Sequence, residues 1–430
     1  MHDIAKLSAR QIAAGVVRRE LSAEAVVRAC LERIDAMEPQ VQAWQHLNRQ
    51  CALARARQID THTIQGPLVG VPVGVKDLID TADMPTTYGS PIYKDHRPVV
   101  DAACVAALRT AGGVILGKTV STEFATFSPG PTRNPRAPAD QPCTPGGSSS
   151  GSAAAVAAGM VPVAFGTQTA GSIVRPAAYC GVVGYKPTHG FLPLAGVKPL
   201  SPSLDTVGVL ARTVDDAAFF VGALAGTAFQ WPPAPSVRVG LCRTPHWDRA
   251  SDDARRALAD AARLLELAGA QVVDVGLPCA CDGLTQAQID IMGHEALAAF
   301  APESRTHAAL FSAAFAAFLN AAREIDGARL AAAHRLAEQA RGELESLFQA
   351  VDVIIAPSAD GEAPSGLVAT GDPIFNRMWT LLGAPCVHVP LGVGRAGMPV
   401  GVTVIGPRWQ DARALAAADL LQRTAWARAT

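Results

Sequence analysis

The segment from Gly146 to Pro187 limits most strongly what this chain can fold into. It is rich in Gly, Ala and Ser, and it carries two serine sites, Ser148-Ser149-Ser150 and Ser172, with Arg175 and Lys186 as its only charged residues. Small residues let backbones approach closely and let N–H groups point at a ligand. Because the residues between the serine sites are apolar, we expect a buried helix and strand rather than a surface linker.

Composition excludes several classes of protein. The 430 residues are 49% hydrophobic and carry a net charge of −1, so nothing favours nucleic acid or a membrane surface as a partner. Apolar runs fall short of the roughly 20 residues that a membrane span needs. The first residues also lack the layout of a signal peptide, and we therefore expect a cytoplasmic protein.

The nine cysteines are odd in number and scattered, which favours reduced thiols. The only close pair is Cys279 and Cys281, and His294-Glu295 lacks the second histidine of a zinc motif. We expect no metal and no cofactor.

The first part of the chain, residues 1–60, has the pattern of a helical segment. Ser8 and Ser22 each precede a run with helical spacing and are predicted N-caps, and Pro39 is expected to end the second helix.

Strand and helix patterns alternate through the rest of the chain. Residues 66–226 contain the serine sites and form the expected catalytic core, a Pro-rich linker is expected at 230–235, and residues 284–350 are overwhelmingly helical. This alternation predicts an α/β fold with a large mixed β-sheet flanked by helices on both faces.

Lys76 follows Leu68–Val75, an apolar and β-branched run that predicts a buried strand. The simpler interpretation is a strand-end ion pair of Lys76 with Asp77 that faces water. The alternative is a lysine partly removed from water. Desolvation disfavours the ammonium form and leaves a neutral amine that can accept a proton.

A serine hydrolase can be built here in two ways. Residues 147–151, GSSSG, fit the GxSxG elbow with Ser149 as nucleophile, but such an elbow needs a buried strand before it and an acid and a histidine after it. The residues before it are rich in Pro and Gly, and no histidine has a distinctive context. The second possibility is a serine that uses a lysine as its base.

Three separated motifs make the second possibility specific, and they agree in order and spacing: GVPVGVKDLID at 70–80, GGSSSGSAAAVAAG at 146–159 and GTQTAGSIVRPAAYCGVVGYKPTHG at 166–190. They resemble the amidase signature family, and residues 381–406 resemble its C-terminal strands. The resemblance spans nearly the whole chain and is closest to the short branch that includes malonamidase. It implies a single amidase signature domain over 1–430.

The resemblance also implies a Ser-cisSer-Lys triad. Ser172 is then the nucleophile, Ser148 the bridging serine after a cis peptide bond, and Lys76 the base. A neutral Lys76 would take a proton from Ser148, which takes one from Ser172. The N–H groups of Thr169, Ala170, Gly171 and Ser172 are the implied oxyanion hole.

The turn before Ser172 departs from the common family pattern. Gln168 replaces a frequent Asp, and Ala170 replaces a Gly. Arg175 stands one position later than the usual arginine. In the malonamidase branch an arginine at this offset contacts a substrate carboxylate, whereas a buried structural ion pair is the alternative.

Other residues have supporting interpretations. Thr167 is expected to support the triad by a hydrogen bond, Ser149 to bind the loop or cap the following helix, and Asp205 to be structural. Residues 284–350 are expected to wall the substrate pocket, with Ile291, Met292 and Phe300 as apolar contacts.

The expected activity is hydrolysis of a C–N bond in a small amide, carbamate (urethane) or urea-type substrate. The alternative is the amidase subunit of a glutamyl-tRNA amidotransferase, which would act with partner chains. An esterase that uses Ser149 and a catalytically silent scaffold are two further interpretations. We expect only a small molecule as partner. The oligomeric state is open, with a homodimer as one option.

Overall fold

The computed structural model describes residues 4–61, 64–229 and 237–429. The predicted linker at 230–235 lies outside these residues. The described residues form fourteen α-helices: α1 Ala9–Val17, α2 Ala23–Val41, α3 Arg49–Asp60, α4 Ala103–Thr110, α5 Ser150–Ala157, α6 Val174–Cys180, α7 Val214–Ala225, α8 Asp252–Leu267, α9 Leu284–Ala299, α10 Ala301–Thr306, α11 Ala313–Ala322, α12 Gly327–Ala350, α13 Arg377–Leu381 and α14 Asp411–Ala429.

One sheet contains the eleven strands of the described residues: β1 Trp44–Leu47, β2 Pro72–Lys76, β3 Val114–Thr119, β4 Val163–Gln168, β5 Val183–Lys186, β6 Thr206–Ala211, β7 Arg238–Leu241, β8 Gln271–Asp274, β9 Val353–Pro357, β10 Cys386–Val393 and β11 Pro399–Ile405. Their order is β1-β3-β2-β4-β6-β5-β10-β11-β9-β7-β8. Strand β2 is parallel to β3 and β4, and β7 is parallel to β8 and β9, whereas the strands between these two groups pair antiparallel. Both sides of the predicted linker therefore contribute to one mixed sheet.

Helices cover both faces of this sheet because successive strand residues point to opposite sides. In β9, Val353 and Ile355 pack in the cluster that contains residues of α1, α4, α7, α8 and α14. Ile354 and Ala356 pack on the other face with α9, α11, α12 and α13. Further along that face, Leu210 of β6 packs with α2, α3 and α5. The predicted α/β class, with a large mixed sheet between helices, is confirmed.

The predicted N-caps form, but one predicted helix end is wrong. Ser8 accepts a hydrogen bond from the N–H of Gln11, and Ser22 accepts one from Ala25. Helix α2 does not end at Pro39 but continues to Val41. Proline removes one N–H donor and crowds the preceding turn, and so close to the end of a helix this costs only one internal hydrogen bond.

Two strands are not predicted by the sequence patterns. The segment 1–60, expected to be a helical segment, contains β1, and the stretch before α7 contains β6. Strand β1 has four residues at the edge of the sheet, which is too short for a clear alternation of apolar and polar side chains. No helix among the described residues is both long enough and apolar enough to cross a membrane.

The packing at the start of α5 predicts that alanine substitutions at two glycines have opposite effects on the free energy of unfolding. A Cβ on Gly151 would lie 2.3 Å from the carbonyl oxygen of Ala43 and 2.4 Å from the backbone nitrogen of Val120, whereas a Cβ on Gly342 of α12 meets nothing within 4 Å. We expect Gly151→Ala to destabilise by about 1–3 kcal/mol or more. Gly342→Ala should stabilise by up to about 1 kcal/mol. Urea denaturation measures both, and equal stabilities would contradict this packing.

Candidate active site

Lys76 ends β2 and is fully buried. Its Nζ lies 2.8 Å from Ser148 Oγ and 2.7 Å from Thr167 Oγ1, with a longer contact of 3.4 Å to the Thr167 carbonyl oxygen. Burial of the amine lowers the pKa of Lys76 well below its usual value, and the nearby carboxylate of Asp205 opposes this effect. The lysine is therefore held where its uncharged form is favoured.

A neutral amine at this position has two N–H donors and one lone pair. The two donors can be directed to the hydroxyl and the carbonyl oxygen of Thr167. The lone pair is then left for the hydroxyl proton of Ser148. The arrangement can therefore accept a proton from Ser148, and Thr167 is the residue that orients the amine for this step.

Asp77 does not form the strand-end ion pair with Lys76 that is the simpler interpretation of the sequence. It is buried and its Oδ1 lies 3.3 Å from Nζ of Lys118, another buried lysine. The Asp77 carboxylate also accepts hydrogen bonds from Thr87. The water-facing interpretation of Lys76 is therefore wrong, because the neighbouring carboxylate belongs to a separate buried pair.

The peptide bond between Gly147 and Ser148 is cis, as the family resemblance implies. It is followed by Ser149, which is fully enclosed and whose Oγ lies 3.3 Å from both the backbone nitrogen and the carbonyl oxygen of Thr167. Ser149 occupies the N-cap of α5 but makes no side-chain capping bond. Its contacts bind residues 147–149, here called the serine loop, to β4.

The GxSxG alternative is wrong on this geometry. The hydroxyl of Ser149 bonds to the backbone of Thr167, and no histidine among the described residues is hydrogen-bonded to it. Residues 141–147 form no strand; only Cys143 makes an isolated bridge, to Ser365. An exposed nucleophile on a strand-to-helix elbow is therefore not formed.

The turn from Thr169 to Ser172 joins β4 to α6 and is held through its carbonyl oxygens. They accept hydrogen bonds in order from Gln288 Nε2 at 2.9 Å, Thr380 Oγ1 at 2.7 Å, Arg175 N at 2.9 Å and Ser149 N at 3.4 Å. No hydrogen bond found within the described residues uses the N–H of Ala170, Gly171 or Ser172. Three successive donors thus remain available beside Ser172.

Ser172 itself is 6% exposed, and its hydroxyl makes no hydrogen bond with any described residue. The hydroxyls of Ser148 and Ser172 are not hydrogen-bonded to each other. Hydrogen bonds between catalytic groups are often long before a substrate is bound. Ser172 is nevertheless adjacent to the serine loop, since its carbonyl oxygen accepts the bond from Ser149.

Gln168 and Asp205 fix the two ends of this turn. Gln168 Oε1 accepts hydrogen bonds from the N–H groups of Ile173 and Val174 at the start of α6. Asp205 accepts one from Thr169 Oγ1 at 2.5 Å and two more from backbone N–H groups, and burial raises its pKa to about 6. Gln168 supplies the acceptor that the missing acidic residue would offer, and the contacts of Asp205 are structural, as expected.

Arg175 is buried, and most of its guanidinium is engaged by the backbone. Nη2 donates to the carbonyl oxygen of Gly147 at 2.7 Å, and Nη1 donates to that of Gly371 at 2.6 Å. Neither nitrogen forms an ion pair within 4 Å in the part of the chain that the structure describes. The structural ion pair is therefore replaced by bonds to carbonyl oxygens, and a contact of Arg175 with substrate stays a prediction.

The predicted pocket residues lie in the apolar core between the sheet and α9–α12. Ile291 is 1% exposed, and Phe300 packs against Phe124 and Phe315. Met292 is also buried, and its sulfur is 3.5 Å from Nε2 of Gln288. Of the three predicted residues, Met292 has this direct contact with a side chain that reaches the turn before Ser172; their role as substrate contacts stays a prediction.

Sequence reasoning missed Gln288, Thr380 and Arg377. Arg377 Nη1 donates to Gln288 Oε1 at 2.5 Å, and Gln288 in turn reaches the carbonyl oxygen of Thr169. These residues lie more than a hundred positions after Ser172, in stretches with no catalytic motif. Only their contacts in the fold identify them.

Comparison with known proteins gives the family. A family model described as Amidase matches residues 25–415. This chain belongs to the amidase signature family. Its similarity to one curated relative, a glutamyl-tRNA(Gln) amidotransferase subunit from Solidesulfovibrio magneticus, is 35% identity over 98% of this chain and 97% of the relative.

Solved structures of this family agree. An amidase superimposes with a TM-score of 0.88 at 29% identity, covering 97% of this chain and 99% of that one. The native peptide amidase from Stenotrophomonas maltophilia gives 0.79 at 30% identity, covering 98% and 97%. The chain is thus an amidohydrolase of the amidase signature family, and its place in the malonamidase branch stays a prediction.

The buried amine predicts a pH-dependent stability. Burial lowers the pKa of Lys76 in the folded state, whereas in the unfolded chain this pKa is about 10.4, so between the two pKa values the unfolded state binds more protons. Stability should therefore rise with pH toward about 10. We expect Lys76→Met to be more stable than the wild type at pH 7, with a difference that shrinks by pH 9.5.

Urea denaturation at several pH values checks this, and Lys76→Gln serves as a second variant that cannot titrate. A stability difference that does not change with pH would contradict the lowered pKa.

Proposed function

We propose that this amidase signature protein hydrolyses the C–N bond of a small amide, carbamate or urea through an acyl-enzyme on Ser172. The observation that carries the proposal is the contact between the buried amine of Lys76 and the hydroxyl of Ser148. A serine is a weak nucleophile without a positioned base. A desolvated lysine is a base that can act near neutral pH without a metal ligand set or a histidine.

The proposed reaction begins when Ser172 Oγ attacks the carbonyl carbon. Its proton passes to Ser148, whose own proton passes to the lone pair of Lys76. The tetrahedral intermediate then collapses, and the same relay returns a proton to the leaving nitrogen, because an amide nitrogen leaves poorly unless it is protonated. Water, deprotonated through Ser148, hydrolyses the acyl-enzyme and restores Ser172.

Stabilisation of the negative charge that develops on the carbonyl oxygen is assigned to the turn before Ser172. The free N–H groups of Ala170, Gly171 and Ser172 support this part of the proposal, with Thr169 as a further donor. Loss of one such donor typically costs about 2.7–4 kcal/mol in the barrier. Because the carbonyl oxygens of the turn are already bonded outward, its N–H groups need little rearrangement to face the oxyanion.

Residues 66–226 are then the catalytic core, and residues 284–350 wall the pocket. The bond from Gln288 of α9 to the carbonyl oxygen of Thr169 supports this division, since it brings the helical region against the turn from Thr169 to Ser172, the oxyanion turn. Ile291 and Met292, in the same helix, remain the proposed apolar contacts.

A second candidate function is the amidase subunit of a glutamyl-tRNA amidotransferase. The name of the Solidesulfovibrio relative, which matches nearly the whole chain, favours this alternative over a free-standing amidase. The match to this relative extends over 484 aligned positions, whereas this chain has 430 residues. At least 54 positions of the relative therefore have no counterpart in this chain. Both candidates use the same triad and differ in substrate and in dependence on partner chains.

The triad is tested with a panel of anilides, carbamates and short aliphatic amides. Ser172→Ala and Lys76→Ala should each lower kcat by at least about 10⁴-fold, because removal of a nucleophile or its base leaves only the oxyanion hole and binding. Ser149→Ala is the matched serine control and should lose far less. Loss of activity in Ser149→Ala with activity kept in Ser172→Ala would overturn the assignment.

The two candidates are separated by measuring ammonia release from glutamine. A free-standing amidase should hydrolyse members of the amide panel at least about tenfold faster than glutamine, and with no partner chain present. A glutaminase subunit should prefer glutamine and speed up when tRNA and the other subunits of a bacterial amidotransferase are added. The second outcome would assign the chain to the amidotransferase.

A further inference from the structure

Arg377 is a buried arginine that the proposed mechanism does not use. It lies beside the oxyanion turn. It begins α13 and is 8% exposed. Its Nη1 donates to Gln288 Oε1 at 2.5 Å, and Gln288 Nε2 donates to the carbonyl oxygen of Thr169 at 2.9 Å. Two hydrogen bonds thus connect this guanidinium to the turn that precedes Ser172.

The packing of α13 and the residues before it places Arg377 close to the nucleophile. Thr380 Oγ1 donates to the carbonyl oxygen of Ala170. A Cβ built on Gly171 would lie 2.8 Å from Pro373 and 3.1 Å from Asn376, the residue next to Arg377. The first turn of α13 therefore lies directly on the oxyanion turn.

Within the described residues, the positive charge of Arg377 has no carboxylate partner. No carboxylate lies within 4 Å of it among the residues that the structure describes. Asp372 is the acidic group that favours its charge, but its side chain is 42% exposed and lies 3.7 Å from Arg249. Arg175 adds a second positive charge nearby. Buried charges in proteins are normally paired, so this site lacks an anion.

The guanidinium also has donors to spare. Nε and Nη2 of Arg377 make no hydrogen bond with any described residue, and neither atom is sealed from solvent. An arginine presents its N–H groups in a planar fork that fits a carboxylate with two parallel bonds. Gln288 fixes one edge of the guanidinium and leaves the opposite edge available.

We propose that Arg377, oriented by Gln288, determines specificity by binding a carboxylate in the acyl part of the substrate. The inference rests on the proposed function and narrows its substrate class to amides of acids that carry a second acidic group. The acyl part of the substrate stays bound in the acyl-enzyme, whereas the amine part must leave. A buried arginine is therefore better suited to bind the acyl part.

The test compares the monoamides of malonic, succinic and glutaric acids with propionamide, butyramide and valeramide. For the wild type, at least one monoamide should have a kcat/KM more than tenfold above that of its neutral counterpart. Arg377→Met should lower this ratio by about 30-fold, the effect expected for a lost hydrogen bond to a charged group. Arg377→Lys, which keeps the charge but not the fork, should lower it less.

Arg55→Met is the matched control. Arg55 is a partly buried arginine of α3 that donates to the carbonyl oxygen of Arg109, away from α13 and the proposed pocket wall, and its substitution should leave the ratio unchanged. If Arg377→Met does not fold, Arg377→Lys and the binding of the monoamides to Ser172→Ala decide the question. Binding no tighter than that of the neutral amides overturns the inference.

Other outcomes separate the inference from the proposed function. Turnover of neutral amides that depends on Ser172, with no preference for the monoamides, overturns the role of Arg377 and leaves the amidase assignment standing. A preference that neither Arg377 substitution changes has the same meaning. Absence of turnover with every amide, or turnover that survives Ser172→Ala, overturns the proposed function itself.

Discussion

Removal of the Lys76 amine from water is the interaction on which the rest of this site depends. The amine lies at the end of a strand inside the sheet, where the ammonium form cannot be hydrated and where no carboxylate of a described residue contacts it directly. The parallel pairing of β2 with β4 brings the ends of both strands to the same edge. Thr167 on β4 is therefore beside Lys76, and Ser148 of the serine loop, which follows the cis bond, also contacts the amine.

The second requirement is a turn whose carbonyl oxygens are bonded away from the site. Those bonds come from parts of the chain that are far away in sequence: Gln288 on α9 and Thr380 on α13 each hold one carbonyl oxygen. The C-terminal half thus shapes the N–H groups beside Ser172 as much as the motif residues do. The sheet of the described residues likewise includes strands from both halves of the chain.

Local patterns in the sequence are enough to predict much of this arrangement. The caps at Ser8 and Ser22 depend on neighbouring residues only, and the alternating strands follow from apolar spacing. The proximity of Lys76 to Ser148 follows from the family resemblance, since no local rule joins residues 72 positions apart. The partners of Arg175, the edge strand β1 and the bond between Arg377 and Gln288 could not be predicted, because each depends on tertiary packing that leaves no periodic or motif signal.

The most direct test of the account is the site and the pH dependence of covalent labelling by a serine-directed fluorophosphonate, read by peptide mass spectrometry. The account predicts a single adduct on Ser172, a labelling rate that rises with pH as the amine of Lys76 loses its proton, and almost no labelling in Lys76→Ala. An adduct on Ser149, or labelling of Ser172 at an unchanged rate after Lys76 is removed, would contradict the central claim that a neutral lysine activates this serine.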